Sequence, residues 1–132
     1  MEILMDIPPV SPGNGLLACR DLFFTTRICD TARALGGRML TVAADESVRQ
    51  HLLTGTFRLL IIDLDTSAAL LPYVKAYREL QPDLEVISFG SHVETAVLQQ
   101  AREAGCQQVL PRSRFSTQLA ELLTTHLLLG PR

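Results

Sequence analysis

Two carboxylates follow the most apolar stretch of the chain and are the residues best placed for chemistry. Asp63 comes directly after the run Leu-Leu-Ile-Ile at 59–62, and Asp65 stands two residues further on. Four consecutive aliphatic residues bounded by a turn signal are typical of a strand that is buried on both faces and needs helices above and below it. In open parallel sheets, ligands and reaction centres gather at the carboxyl ends of the strands. The sequence therefore predicts Asp63 at such an end, and leaves open whether it does chemistry or only keeps the shape of a site.

The elements that must position these carboxylates alternate regularly along the chain. Short apolar stretches predict strands at residues 16–19, 39–44, 59–63, 84–89 and 107–110. Apolar residues at helical spacing predict helices at 25–35, 45–53, 68–80, 91–104 and 116–128, with Asp45 as a helix N-cap. Five βα units with right-handed crossovers predict a doubly wound α/β fold, with a five-stranded parallel sheet of flavodoxin-like order 2-1-3-4-5.

The N-terminal residues 1–15 differ in composition from the rest. They hold three prolines and two glycines within eight positions. Because proline fixes φ and removes a hydrogen-bond donor, these residues predict an irregular lead-in. Residues 16–132 are then expected to form one domain.

Composition argues against several classes of protein. The net charge is −2 and the basic residues are scattered, so no nucleic-acid surface is predicted. No apolar run approaches the length that a membrane helix needs, and the N-terminus is not typical of a secretory signal. The three cysteines show no CxxC spacing, which favours a reducing cytoplasmic setting and buried free thiols. Phosphate-loop, dinucleotide and serine-hydrolase motifs are absent from the sequence, and no metal or cofactor is expected.

The chain from 16 to 128 resembles a response-regulator receiver domain of two-component signalling. The resemblance rests on Leu-Leu-Ile-Ile-Asp at 59–63, Val-Ile-Ser-Phe at 86–89 and Arg-Glu-Ala-Gly-Cys at 102–106. It implies acidic residues after the first strand that bind Mg²⁺ and an aspartate after the third strand that accepts a phosphoryl group. It also implies a Ser or Thr after the fourth strand and a Lys after the fifth, which read the phosphate.

This sequence matches that site only in part. Asp63 stands at the phosphoacceptor position. At the first strand, Cys19 and Arg20 stand in place of the acidic pair, and Asp21 comes one place late. At the fourth strand, Gly90 stands at the Ser/Thr position, and Ser91 is adjacent to it. At the fifth strand, Arg112 stands at the Lys position, and Ser113 stands where proline is usual.

Two of these residues also have local roles. Ser91 and Glu94 have the S-x-x-E spacing of a capping box. Asp21 is either a cap of the first helix or a displaced metal ligand.

The departures change the expected chemistry of Asp63. Mg²⁺ requires oxygen ligands, and without it phosphoryl transfer lacks the charge that neutralises the developing oxygens. A guanidinium in place of a ligand would compete for the same carboxylate and could hold it bidentately. We therefore expect Asp63 to be paired with an arginine, with Arg20 as the first candidate and Arg112 as the second.

The resemblance and its departures together predict a degenerate receiver, or pseudo-receiver. We expect a non-enzymatic, cytoplasmic, bacterial regulatory module that binds a protein partner through its helix 4–strand 5–helix 5 face, with a homodimer as a further option. The expected binding residues are Arg20, Asp21, Asp63, Ser91 and Arg112. One alternative is a phosphorylatable receiver with Asp63 as phosphoacceptor and Asp21 as a shifted ligand. Another is a flavodoxin-like ligand binder at the switch point between strands one and three.

Overall fold

A computed structural model describes residues 13–91 and 95–129. The predicted lead-in up to residue 12 and most of the predicted capping box, residues 92–94, lie outside this range. The strands are β1 (Asn14–Ala18), β2 (Arg38–Thr41), β3 (Leu59–Asp63), β4 (Glu85–Gly90) and β5 (Gln108–Pro111). All strand pairs are parallel, and the sheet order is β2-β1-β3-β4-β5. The predicted fold class and strand order are confirmed.

Helical segments cover both faces of the sheet. They are α1 (Leu22–Ala34), α2 (Asp45–Thr54), α3 (Leu64–Ser67), a 3₁₀ helix (Ala68–Tyr73), α4 (Val74–Leu80), α5 (Thr95–Ala104), α6 (Arg112–Thr117), α7 (Leu119–Leu123) and a π-helical turn (Thr124–Leu129). Among the described residues, no helix is long and apolar enough to cross a membrane.

Strand β3 is central because both of its faces are covered. All five of its residues are buried. Leu60 and Ile62 belong to one hydrophobic cluster, and Leu59 and Ile61 belong to the cluster on the other face. This alternation follows from the two-residue period of a strand, and it fixes the position of the last residue, Asp63.

Helix starts differ from the prediction at two places where a carboxylate is involved. The side chain of Asp21 accepts a hydrogen bond from the backbone N–H of Phe24, so α1 begins at Leu22, three residues earlier than predicted. The prediction of Asp45 as an N-cap was wrong. Asp45 is the first residue of α2, and its carboxylate instead binds other side chains.

Two of the predicted helices, 68–80 and 116–128, are divided into shorter segments. Residues 64–80 pass through α3 and a 3₁₀ helix that contains Pro72 before α4 begins. The last helical stretch begins at Arg112, four residues before its predicted start. Its N-cap residue is Pro111, whose extended backbone leads directly into the first turn. Arg112 is therefore held in a helix, close to the end of β5.

Candidate functional site

The carboxyl ends of β1, β3, β4 and β5 meet at one edge of the sheet around Asp63. Its side chain is fully buried, and it is one of three buried polar or charged residues in the described part of the chain. Asp63 is also the N-cap of α3, since its Oδ1 accepts the backbone N–H of Asp65 at 2.9 Å. A buried carboxylate is costly without such partners, so the remaining contacts of Asp63 decide what this site can do.

The second contact of Asp63 comes from the residue directly after β1. The thiol of Cys19 donates to Oδ2 of Asp63 at a Sγ–O distance of 3.2 Å. Burial raises the pKa of the Cys19 thiol, and the neighbouring Asp63 carboxylate also raises it, although a hydrogen bond with Thr25 opposes the shift. Cys19 therefore stays a neutral thiol that donates a weak hydrogen bond to Asp63.

The third contact comes from the start of α6. Nη2 of Arg112 lies 3.3 Å from Oδ1 of Asp63 and 2.7 Å from Oδ2 of Asp65, while Nη1 lies 3.9 Å from Oδ2 of Asp21. Partial burial pushes the pKa of Arg112 down, but the hydrogen bond to Asp65 and the charges of Asp63, Asp65 and Asp21 outweigh it and raise the pKa above its ordinary value. Arg112 is therefore the charge that compensates Asp63.

Aromatic rings hold the guanidinium of Arg112 in this position. Its Cζ lies 4.4 Å from the ring centroid of Phe24 and 5.3 Å from that of Phe89. The Phe89 ring in turn stacks on Phe115 with centroids 4.1 Å apart. Cation–π contacts of this kind help to hold the planar guanidinium in one orientation.

Arg20 does not take the role that the sequence suggested for it. Its side chain is exposed, and its backbone N–H donates to Oγ1 of Thr66 at 3.1 Å. Within the described residues it makes no ion pair with Asp63. The reason is alternation along extended backbone, because Cys19 points towards Asp63 and its neighbour points away. The expectation that Arg20 is the first partner of Asp63 was wrong, and the second candidate, Arg112, makes the contact.

The other predicted residues lie around the same edge with different roles. Asp21 caps α1 and lies at the outer limit of pairing distance from Arg112. The backbone N–H of Ser91 lies 3.4 Å from Oδ1 of Asp65. Asp65, which was not among the expected binding residues, makes the shortest contact with Arg112. Its spacing two residues after Asp63 was the available signal.

The residues present do not fit the Mg²⁺ ion that the resemblance implies. A neutral thiol, from Cys19, stands at one ligand position, and the three carboxylates of Asp21, Asp63 and Asp65 all face the guanidinium of Arg112. Mg²⁺ prefers oxygen ligands in near-octahedral geometry. Among residues 13–91 and 95–129, no group of three or more metal-ligating side chains is arranged to hold a metal ion.

Comparison with known proteins identifies the fold. No protein-family model and no curated protein sequence matches this chain. An orphan response regulator of H. pylori superposes with a TM-score of 0.70 at 14% identity, over 89% of this chain and 95% of that one. A response-regulator receiver domain from Bermanella marisrubri gives 0.70 at 14% identity, over 86% and 96% of the two chains. A response regulator from Thermotoga maritima gives 0.67 at 14% identity, over 86% and 95%. The chain therefore has the fold of response-regulator receiver domains, as the resemblance predicted.

Proposed function

We propose that this protein is a non-enzymatic, receiver-like regulatory module whose aspartate site is closed by an arginine. The observation that carries the proposal is the guanidinium of Arg112, which bridges the carboxylates of Asp63 and Asp65. The fold supports a signalling role, since the similar structures are those of response regulators. On this proposal Asp63 holds the receiver shape without accepting a phosphoryl group.

Electrostatics explains why an arginine at this position opposes phosphorylation. A phosphoryl donor brings negative charge to an aspartate that is itself negative, and receivers balance that charge with a metal ion. Arg112 already satisfies Asp63 and Asp65, and it supplies only one positive charge for the three carboxylates around it. The buried Asp63 side chain also has no free surface for an incoming phosphate.

One observation favours the alternative of a phosphorylatable receiver. Carboxylate oxygens of Asp21, Asp63 and Asp65 all lie within 4 Å of the Arg112 guanidinium, and the backbone N–H of Ser91 lies beside Asp65. If Arg112 swung outward, these carboxylates would face one another without a cation. Asp21 would then be the shifted metal ligand and Asp63 the phosphoacceptor.

Phosphorylation and a stable phosphate mimic separate the two functions. The chain is incubated with acetyl phosphate and Mg²⁺ and followed by intact mass, and in parallel with beryllofluoride and Mg²⁺ and followed by ¹⁹F and ¹H–¹⁵N NMR. We expect no mass adduct and no bound fluoride signal. Asp63→Asn is the control for adducts elsewhere, and an active receiver treated alongside shows that the reagents work. A stoichiometric adduct that Asp63→Asn removes would establish the phosphorylatable receiver instead.

The output surface proposed for the module is the helix 4–strand 5–helix 5 face, formed here by α5, β5, α6 and α7. Apart from Ala96 and Ala120, its exposed described residues are polar, with Gln99 hydrogen-bonded to Arg102 and Glu103 on α5 and with Arg114 exposed on α6. Polar surfaces of this kind suit transient protein partners. A photo-crosslinking residue in place of Gln99 is expected to capture such a partner in cells, whereas one in place of the exposed Asp30 on α1 is not. Equal capture at both positions would contradict this choice of surface.

A further inference from the structure

Exposed hydrophobic side chains collect on a different surface, at the junction of α2 and α4. Of the five large hydrophobic side chains that are exposed among the described residues, three lie there: Leu53 (67%), Tyr73 (38%) and Leu80 (41%). We call the surface formed by Leu53, Tyr73, Ala76 and Leu80 the α2–α4 seam. None of the five lies on the described parts of α5, β5 or α6.

The α2–α4 seam is continuous because contacts join the two helices at both ends. At one end the guanidinium of Arg49 lies 5.5 Å from the ring centroid of Tyr73. At the other end Nε2 of Gln81 donates to the backbone oxygen of Leu52 at 2.8 Å. Leu53 follows Arg49 by four residues and so lies on the same side of α2. Leu80 follows Tyr73 by seven residues and lies on the matching side of α4.

Charged side chains of both signs border the seam, among them Arg49, which pairs with Asp45, and the exposed Glu79. Arg49 uses its Nε to bind both carboxylate oxygens of Asp45, which leaves its Nη groups without a hydrogen bond to any residue of the described range. Glu79 is exposed and makes no ion pair with another described residue. Because Arg49 lies beside Tyr73 and Glu79 is six residues further along, the two charges are separated by about 9 Å along the helix axis.

We infer that the α2–α4 seam is the contact surface of a homodimer. Helices α2 and α4 both lead from one strand to the next in a parallel sheet, so they run in the same direction. A second copy related by a two-fold axis that lies in the plane of the seam and runs across the two helices presents them in roughly the opposite direction. Arg49 of each copy then meets Glu79 of the other, with the hydrophobic side chains between the two pairs. A two-fold contact requires such a self-complementary surface.

The other exposed hydrophobic pair does not have this property. Leu22 and Phe23 lie in the first turn of α1, exposed by 78% and 70%. Within α1, the charged side chain one helical turn from Phe23 is Arg27, four residues after it. Two copies packed through this pair would bring positive charges together. The charge pattern therefore favours the seam as the self-association surface.

The size of the seam sets the expected affinity of the dimer. Three partly exposed side chains and two charge pairs correspond to an interface at or below the low end of specific complexes, of roughly 1,200 Å². We therefore expect a weak dimer that dissociates on dilution. This surface is distinct from the edge of the sheet around Asp63, and the inference does not rest on the state of that site.

Sedimentation equilibrium of the full chain over a wide concentration range tests the dimer. We expect a monomer–dimer equilibrium that Leu53→Asp weakens by about tenfold or more, the equivalent of about 1.4 kcal/mol. Leu22→Asp is the matched control, since it places the same charge on an equally exposed leucine of α1, and it should behave as the unmodified chain. Circular dichroism confirms that each variant is folded.

Exchanging the charges of Arg49 and Glu79 tests whether these two residues face each other across the dimer contact. Arg49→Glu and Glu79→Arg should each weaken the dimer, and the double variant should recover part of the loss, because the exchanged charges again face each other across the two-fold axis. A chain that stays monomeric at the highest concentration would overturn the inference. Association that Leu22→Asp abolishes, or that the charge exchange does not restore, would also overturn it.

Discussion

Two of the carboxylate–arginine pairs among the described residues have the same chemistry in opposite surroundings. Asp63 and Arg112 are 3.3 Å apart, with the Asp63 side chain fully buried. Asp45 and Arg49 are 3.0 Å apart on the surface of α2, with side chains that are 27% and 44% exposed. The shorter and geometrically better pair is the exposed one. Distance alone therefore does not tell which pair the fold depends on.

Burial makes the difference between the two pairs. An exposed pair gains little, because water screens its charges and solvates each partner if the other is lost. A buried carboxylate has no such alternative, so the loss of its partner leaves an uncompensated charge. The Asp63–Arg112 pair should therefore be necessary for stability, whereas the Asp45–Arg49 pair should matter mainly through a third residue, Tyr77.

The largest effect is expected for Arg112→Met. The substitution keeps the bulk beside Phe24 and Phe89 but leaves Asp63 with only the Cys19 thiol and the N–H of Asp65. We expect a loss of about 3 kcal/mol in the free energy of unfolding, measured by urea denaturation. Adding Asp63→Leu should recover part of this loss, since removal of both charges leaves none stranded. If the two substitutions destabilise additively, the pairing of Asp63 with Arg112 does not matter energetically.

Asp45→Ala should have the next largest effect, through the hydroxyl of Tyr77. The Tyr77 side chain is fully buried, and its hydroxyl donates to Oδ1 of Asp45 at 2.6 Å. Burial raises the pKa of Tyr77, and the hydrogen bond to Asp45 raises it further. An unpaired buried hydroxyl costs about 1–2 kcal/mol, to be measured in the same denaturation experiment. Asp45→Ala combined with Tyr77→Phe should be less harmful than the sum of the two single changes.

The sequence predicts some features of the Asp63 site and misses others, depending on whether a feature belongs to the middle or to the end of a secondary-structure element. The central strand was predictable because four consecutive aliphatic residues at 59–62 leave neither face of a strand suitable for exposure to water. The position of Asp63 at the end of this strand was predicted from the same run of residues. The strand order followed from the handedness of the crossovers. The central strand and the strand order are regular features of the backbone, and the pattern of residue types predicts them directly.

The partner of Asp63 was less predictable, because it depends on details at the ends of elements. Whether Cys19 or Arg20 faces Asp63 is decided by a single alternation after β1, which begins at Asn14, two residues before its predicted start. Arg112 reaches the site because a helix begins directly after Pro111, and no periodic apolar pattern marks so short a first segment. Sequence patterns locate the middles of elements better than their ends.

A smaller effect is expected from acid on the Asp45 pair. Burial pushes the pKa of Asp45 up, but hydrogen bonds from Tyr77 and Arg49 outweigh it, so the pKa lies below its ordinary value. A lowered carboxyl pKa contributes stability that is present above the unfolded pKa, about 4, and is lost as pH falls through the folded value. Asp45→Asn should therefore reduce the stability difference between pH 7 and pH 3. An unchanged pH dependence would show that the pair contributes nothing in solution.

The smallest effect is expected for Arg20→Met, and it is the change on which sequence and structure disagree. If Arg20 held Asp63, as the replacement of a metal ligand suggested, its loss would cost as much as that of Arg112. In the structure Arg20 is exposed, and its side chain makes no ion pair with Asp63. Its backbone N–H donates to Oγ1 of Thr66, a hydrogen bond that the methionine backbone would also make. We therefore expect a change within about 0.5 kcal/mol in urea denaturation, as for ordinary surface substitutions. Arg20→Met should also leave the Asp63→Leu effect unchanged, because residues without a shared contact act additively. A coupling between Arg20 and Asp63 above that size would mean that Arg20 reaches the carboxylate in solution and that Asp63 is held by two arginines instead of one.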